Sequence, residues 1–81
     1  MRIRVRLFAA ARQFVEKDAV EVELGDRSTV AELREQLATQ FPELATLVGH
    51  AAFAVDEAYA SNTTILDERA DVACIPPVSG G

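Results

Sequence analysis

The 81-residue sequence predicts an α+β domain, a mixed sheet of four to five strands packed on one main helix. Three observations predict it. Apolar and charged residues alternate with a period of two at the start of the chain and again near residue 20. A helix in the middle carries an apolar face together with start and stop signals. Short apolar runs bounded by turn residues return in the second half, so strands stand on both sides of that helix.

"RIRVRLF" alternates Ile3, Val5 and Leu7 with Arg2, Arg4 and Arg6, the pattern of a strand with one buried face. "AAARQFVEKD" is a connection with room for a helical turn. "AVEVELG" repeats the alternation, with Val20, Val22 and Leu24 inward, Glu21 and Glu23 outward, and Gly25-Asp26 closing the strand. If the two strands form an antiparallel hairpin, the outward Arg and Glu rows face and offset one another. Each such pair contributes from a few tenths to about 1 kcal/mol, so the arginines read as structural and not as a basic binding patch.

"STVAELREQLATQFP" is the main helix, with Val30, Leu33, Leu37 and Phe41 on one face. Thr29 and Glu32 form a capping box at its start, and Pro42 marks its stop. "ELATLVG" adds a short helical turn. "AAFAVDEAYA" reads as a strand through Val55, a turn at Asp56-Glu57 and a short edge segment around Tyr59. "TTILDERAD" is a polar connection that buries Ile65 and Leu66. The last strand, "VACI", ends at Pro76-Pro77, which cannot donate to a sheet ladder. The first and last strands are apolar enough to be central.

Hydrophobic residues make up 49% of the chain and charged residues 26%, the balance of a globular protein. The chain reads as one domain over residues 1–81, with 76–81 a flexible C-terminal tail. A net charge of -5 makes it a poor match for a phosphate backbone, so no nucleic acid is expected. Apolar stretches such as Leu7 to Ala11 are far short of a membrane span, and Arg2, Arg4 and Arg6 interrupt the apolar block that a secretory signal needs. A cytoplasmic location is expected.

The candidates for chemistry are few. Cys74 is the only cysteine and His50 the only histidine, which leaves no cluster for a metal site. His50 reads as a surface or capping residue. Cys74 falls within "VACI", where it acts as a small buried hydrophobe, because reactive thiols need exposure and a neighbouring positive charge. No Ser/His/Asp set, carboxylate pair in a cleft motif or Gly-rich phosphate loop is present.

The carboxylate of Gly81 remains. It follows "IPPVSG", and two final glycines suit a narrow channel in which a Cβ would clash. A carboxylate is a poor acyl donor until activated, most economically as a mixed anhydride with AMP. Enclosure by an activating enzyme therefore accounts for the glycines.

"DVACIPPVSGG", Asp71 to Gly81, resembles the C-terminal signature of the molybdopterin synthase small subunits, sulfur carriers with a ubiquitin-like β-grasp fold. "RLFAAARQF" is similar to the family's Phe-Ala-x-x-Arg stretch through Phe8, Ala9 and Arg12. Length and element order agree along the chain. Two departures are visible: Glu68-Arg69-Ala70-Asp71 stands where the family has an acidic-Gly-acidic turn, and Asp56 where it has Asn.

The resemblance implies that Gly81 is adenylated with MgATP by a partner E1-like adenylyltransferase, and then converted to a thiocarboxylate by a sulfur donor protein. The tail, with Pro76, Pro77, Val78, Ser79 and Gly80 gripped by its partners, then enters the large subunit of a heterotetrameric synthase and gives sulfur to a pyranopterin precursor. On this reading the chain binds no cofactor or metal, and it is a non-catalytic, sulfur-donating subunit. Phe8, Arg12 and Ile75 are the expected partner interface. A sulfur carrier for thiamine or cysteine synthesis, and a ubiquitin-like protein modifier joined through Gly81, are the alternatives.

Overall fold

Alternation in the first two strands closes a hairpin. β1 (Arg2–Leu7) pairs antiparallel with β2 (Ala19–Glu23), setting Ile3 opposite Val22 and Val5 opposite Val20, all four buried. The computed structural model describes residues 1–77. The connection between these strands is more than a turn: it forms α1 (Ala9–Val15). Ala9 and Glu16 hold positive φ angles of 51° and 57° at its two ends, and the Glu16 amide closes the last turn on the Arg12 carbonyl at 2.8 Å.

α2 (Val30–Gln40) buries Val30, Leu33 and Leu37, with Phe41 packed partly buried against the same core. The capping box is formed in both directions. The Thr29 amide donates to Glu32 Oε1 at 2.9 Å, and the Glu32 amide donates to Thr29 Oγ1 at 3.3 Å. The next two amides of the helix, on Val30 and Ala31, are taken up at 3.0 Å by the carbonyls of Thr64 and Asn62. A 3₁₀ turn with Pro42 in its first position leads into α3 (Ala45–His50).

β3 (Ala52–Val55), β4 (Ala58–Ala60) and β5 (Val72–Ile75) complete a five-stranded sheet of order β2-β1-β5-β3-β4. β5 is central, parallel to β1 and antiparallel to β3, as its unbroken apolar run requires. The helices cover one face. This is the β-grasp arrangement.

The expected burial of Ile65 is corrected. Ile65 is 55% exposed while Leu66 is 2% exposed. Ile65 bridges to Thr29 in extended backbone, where neighbouring side chains point to opposite sides, so only one of the two can face the core. The facing charge rows form in part. Arg2 reaches Glu23 at 3.0 Å and Glu21 at 3.9 Å, whereas Arg6 lies opposite Ala19 and turns instead to Asp71.

The turn at Asp56-Glu57 joins β3 to β4 with φ angles of 51° and 70°, the left-handed pair that a two-residue hairpin demands. Asp56 does more than turn. Its amide donates to the Asp71 carbonyl at 2.8 Å, and its Oδ1 accepts the Asp71 amide at 3.0 Å. An aspartate at this position thus clamps the start of β5. The "DERAD" departure is accommodated by a turn in which Asp67 accepts the Ala70 amide on its carbonyl and the Arg69 amide on Oδ1.

Candidate functional site

Because β1 and β5 are parallel, both run out at the same end of the sheet. Leu7 stands opposite Cys74, and the Phe8 amide donates to the Cys74 carbonyl at 3.2 Å. Ile75 pairs with Ala52 at the start of β3. β5 ends here, and the described chain stops two residues later at Pro77.

The inward alternation of Val72 and Cys74 continues to Pro76, which is buried, while Pro77 is exposed. Pro76 is therefore part of the packed domain and not a spacer holding a tail away from the sheet. Val78, Ser79, Gly80 and Gly81, which carry the rest of the expected tail site, lie outside the described residues.

Register assigns the uncovered face of the sheet. Ala19, Arg6, Ala73, Ala54 and Tyr59 follow one another across it in a single row, and Ile75 and Ala52 form the next row towards the exit. Phe8, 40% exposed, borders that second row. Exposed Ala52 and half-buried Ala54 thus make a low floor between two exposed aromatics, Phe8 and Tyr59, the latter 78% exposed, while Ala73 beside them is itself buried. Arg12 stands on α1, half a helix beyond Phe8, with its guanidinium 3.7 Å from the Asp18 carboxylate. Of the residues named from the sequence, Phe8 and Ile75 lie at this end of the sheet and Arg12 on α1; nothing in the sequence pointed to Ala52, Ala54, Ala73 and Tyr59, whose common face exists only once the strand order is known.

Cys74 is fully buried, and that burial pushes its thiol up to about 11, the positive charge of Arg34 acting in the opposite direction. At neutral pH it is a protonated core side chain, not a nucleophile. Arg34 gave no signal in the sequence, since an arginine on a helix usually faces water. Its Nη1 donates to the carbonyls of Val48 at 2.8 Å and Ala51 at 2.7 Å, its Nη2 donates to Asn62 Oδ1 at 3.0 Å, and its guanidinium lies 4.8 Å from the Phe53 ring. It ties α2 to the junction of α3 and β3, whose next residue, Ala52, pairs with Ile75.

Among the described residues, no group of three or more His, Cys, Asp and Glu is placed to hold a metal ion. No helix among them is long and apolar enough to cross a membrane. What this end of the molecule offers is an uncovered sheet face with two exposed aromatics, beside the last described residues, Pro76 and Pro77.

The profile of the ThiS family matches residues 5–81. The chain belongs to the ThiS family. A relative described as the molybdopterin synthase sulfur carrier subunit of Arabidopsis thaliana is 32% identical over 79 residues, spanning 98% of this chain and 82% of the relative. Small archaeal modifier protein 1 of Haloferax volcanii superposes with a TM-score of 0.83 at 20% identity, covering 95% of this chain and 98% of that one. A chain from the complex of subunits 1 and 2 of the molybdopterin-converting factor of Helicobacter pylori gives 0.68 at 22% identity, with both chains covered in full. These two structural likenesses show that this ThiS-family chain has the ubiquitin-like β-grasp fold.

Proposed function

We infer that the chain is the sulfur carrier subunit of a molybdopterin synthase. The observation that carries this reading is the full-length likeness to a relative of that description. In the proposed cycle an E1-like enzyme uses MgATP to join the Gly81 carboxylate to AMP. Sulfide-level sulfur supplied by a sulfur donor protein then attacks the acyl carbon, displaces AMP and leaves a thiocarboxylate. The tail enters the synthase large subunit and transfers its sulfur to the pyranopterin precursor, and Gly81 returns as a carboxylate. The domain supplies the consumable terminus and a face that aims it, while catalytic side chains come from the partners.

Three features support the reading. The thiol of Cys74 is buried and protonated, which leaves the terminus as the group to carry sulfur. Pro76 is seated in the domain, so the chain departs from a fixed point. Phe8, Ile75 and Ala52 adjoin that departure, Ala54 and Tyr59 continue the same uncovered face, and the two exposed aromatics are the residue type that anchors interfaces.

The test is the intact mass of the chain after incubation with its activating enzyme, MgATP and sulfur donor. A mass increase equal to one sulfur-for-oxygen exchange at the terminus is expected. Deletion of Gly81 is expected to leave the melting temperature unchanged and to abolish both the mass change and synthase activity. Full activity from the truncated chain overturns the reading.

A further inference from the structure

The docking face is not uniformly apolar. In the row from Ala19 to Tyr59, Arg6 is the single charged residue. Its Nε and Nη2 donate to Asp71 Oδ1 and Oδ2, each at 3.0 Å, a two-pronged pair with both side chains about half exposed. The acceptor is itself held, because Asp56 clamps both the amide and the carbonyl of Asp71. The guanidinium also lies 5.6 Å from the Phe8 ring, within the range of a cation–π contact. Arg6 is therefore held by Asp71 and by the Phe8 ring, and Nη1 has no hydrogen-bond partner among the described residues.

An ion pair this exposed adds little to folding. Its weight changes when another protein covers the face. Water is then stripped from a charged group, and the loss is made good only if the covering surface returns a hydrogen bond. A partner that places only apolar atoms over Arg6 leaves Nη1 buried and unsatisfied.

Resting on the carrier reading above, we propose that the synthase large subunit occupies the open face and that Arg6 sets its fit there. The fitting partner presents an oxygen acceptor, carboxylate or carbonyl, to Arg6 Nη1 within a surface otherwise shaped to Phe8 and the alanine floor. A partner with an apolar or basic group at that point is rejected. Neither composition nor spacing marks Arg6 out from Arg2 and Arg4. Only the register does, because it puts Arg6 level with Ala73 and Ala54.

The experiment is calorimetric titration of the carrier with the synthase large subunit from the same genome. Arg6→Leu is expected to weaken binding roughly 10- to 100-fold, the effect of a hydrogen bond lost from a charged group. Arg6→Leu with Asp71→Leu is expected to bind as weakly as Arg6→Leu alone, since the lost donor and not the orphaned carboxylate is at fault. Both variants are expected to melt within a few degrees of wild type. A flatter salt dependence in Arg6→Leu than in wild type identifies a partner carboxylate, and an unchanged one a carbonyl.

Ala52→Arg, which blocks the exposed end of the floor, separates the two levels of the argument. If Ala52→Arg abolishes binding while Arg6→Leu binds as wild type, the face stands and the role of Arg6 falls. If Ala52→Arg binds normally, the docking face itself is wrong. In a Phe8→Ala background, Arg6→Leu is expected to cause a further loss. Disappearance of its effect there makes Arg6 a mere support for the ring and overturns the direct contact.

Discussion

The amide of Phe8 donates to the carbonyl of Cys74 at 3.2 Å, which carries the pairing of β1 and β5 one residue past Leu7. Backbone is thereby fixed while the side chain is released. The ring is 40% exposed, and Ala9, at a φ of 51°, turns the chain into α1 directly behind it. On the proposed carrier reading, an aromatic whose backbone is fixed at this end of the sheet serves as an interface anchor, and the positive φ of Ala9 is what displays it.

Phe8→Ala is expected to weaken association with the large subunit by about 1–3 kcal/mol while lowering the melting temperature little. Arg12→Ala, whose guanidinium is exposed beside Asp18, should instead alter mainly the salt dependence of binding. Calorimetric titration at two salt concentrations, beside thermal melts, separates them. A Phe8→Ala protein that melts early but binds normally once folded assigns Phe8 to the core.

Cys74→Ala is expected to cost roughly 1 kcal/mol of stability and to leave sulfur acceptance intact. The buried thiol also makes a pH prediction. Its value is raised from 9.0 to about 11, so between those limits the unfolded chain gives up its proton first and is favoured. Stability from this group is complete below pH 9 and falls as pH rises towards 11. Urea unfolding at pH 8 and pH 10.5 should show that part of the decline in wild type and not in Cys74→Ala. A variant that folds but accepts no sulfur would replace the carboxylate chemistry by a persulfide.

The strands and α2 were legible because each follows one simple period with a boundary residue. Thr29, Glu32 and Pro42 even placed the ends of α2. α1 was underread because its seven residues bury only Ala11, too few to show a helical face. Ile65 was misread because two adjacent apolar residues in extended chain cannot both face inward. The alanine floor was invisible for a different reason. In β3 and β5 apolar residues lie on both faces, so the alternation that marked Arg2, Arg4 and Arg6 is absent, and pairing alone reveals which alanines stand together.

The β3–β4 hairpin holds two non-glycine residues at positive φ, and the clamp on Asp71 is made by Asp56 and not by Glu57, whose φ is 70°. Glu57→Gly should relieve about 1 kcal/mol of left-handed strain and raise the melting temperature by roughly 4–8 °C. Asp56→Ala, which removes the acceptor for the Asp71 amide, should destabilise. A scanning calorimetry pair in which Glu57→Gly melts lower than wild type refutes the turn assignment.

Carrier and protein modifier differ in what amines they present, and Lys17 is the only lysine among eight basic residues. Its neighbour Asp18 accepts the Leu7 amide at 2.8 Å, so Lys17 lies at the end of the sheet from which the chain departs. An activated acyl terminus reacts with amines, whereas a guanidinium stays protonated and is a poor nucleophile. A chain-forming modifier needs lysine as the acceptor for further copies, and a carrier gains nothing from it. Lys17→Arg is therefore expected to leave sulfur delivery intact, with denaturing gels and intact mass showing free or thiocarboxylated monomer in wild type and variant alike. A ladder of heavier conjugates that depends on Gly81 and vanishes with Lys17→Arg would establish a polymerising modifier, because only an amide bond from one copy's terminus to the next copy's lysine builds such a series.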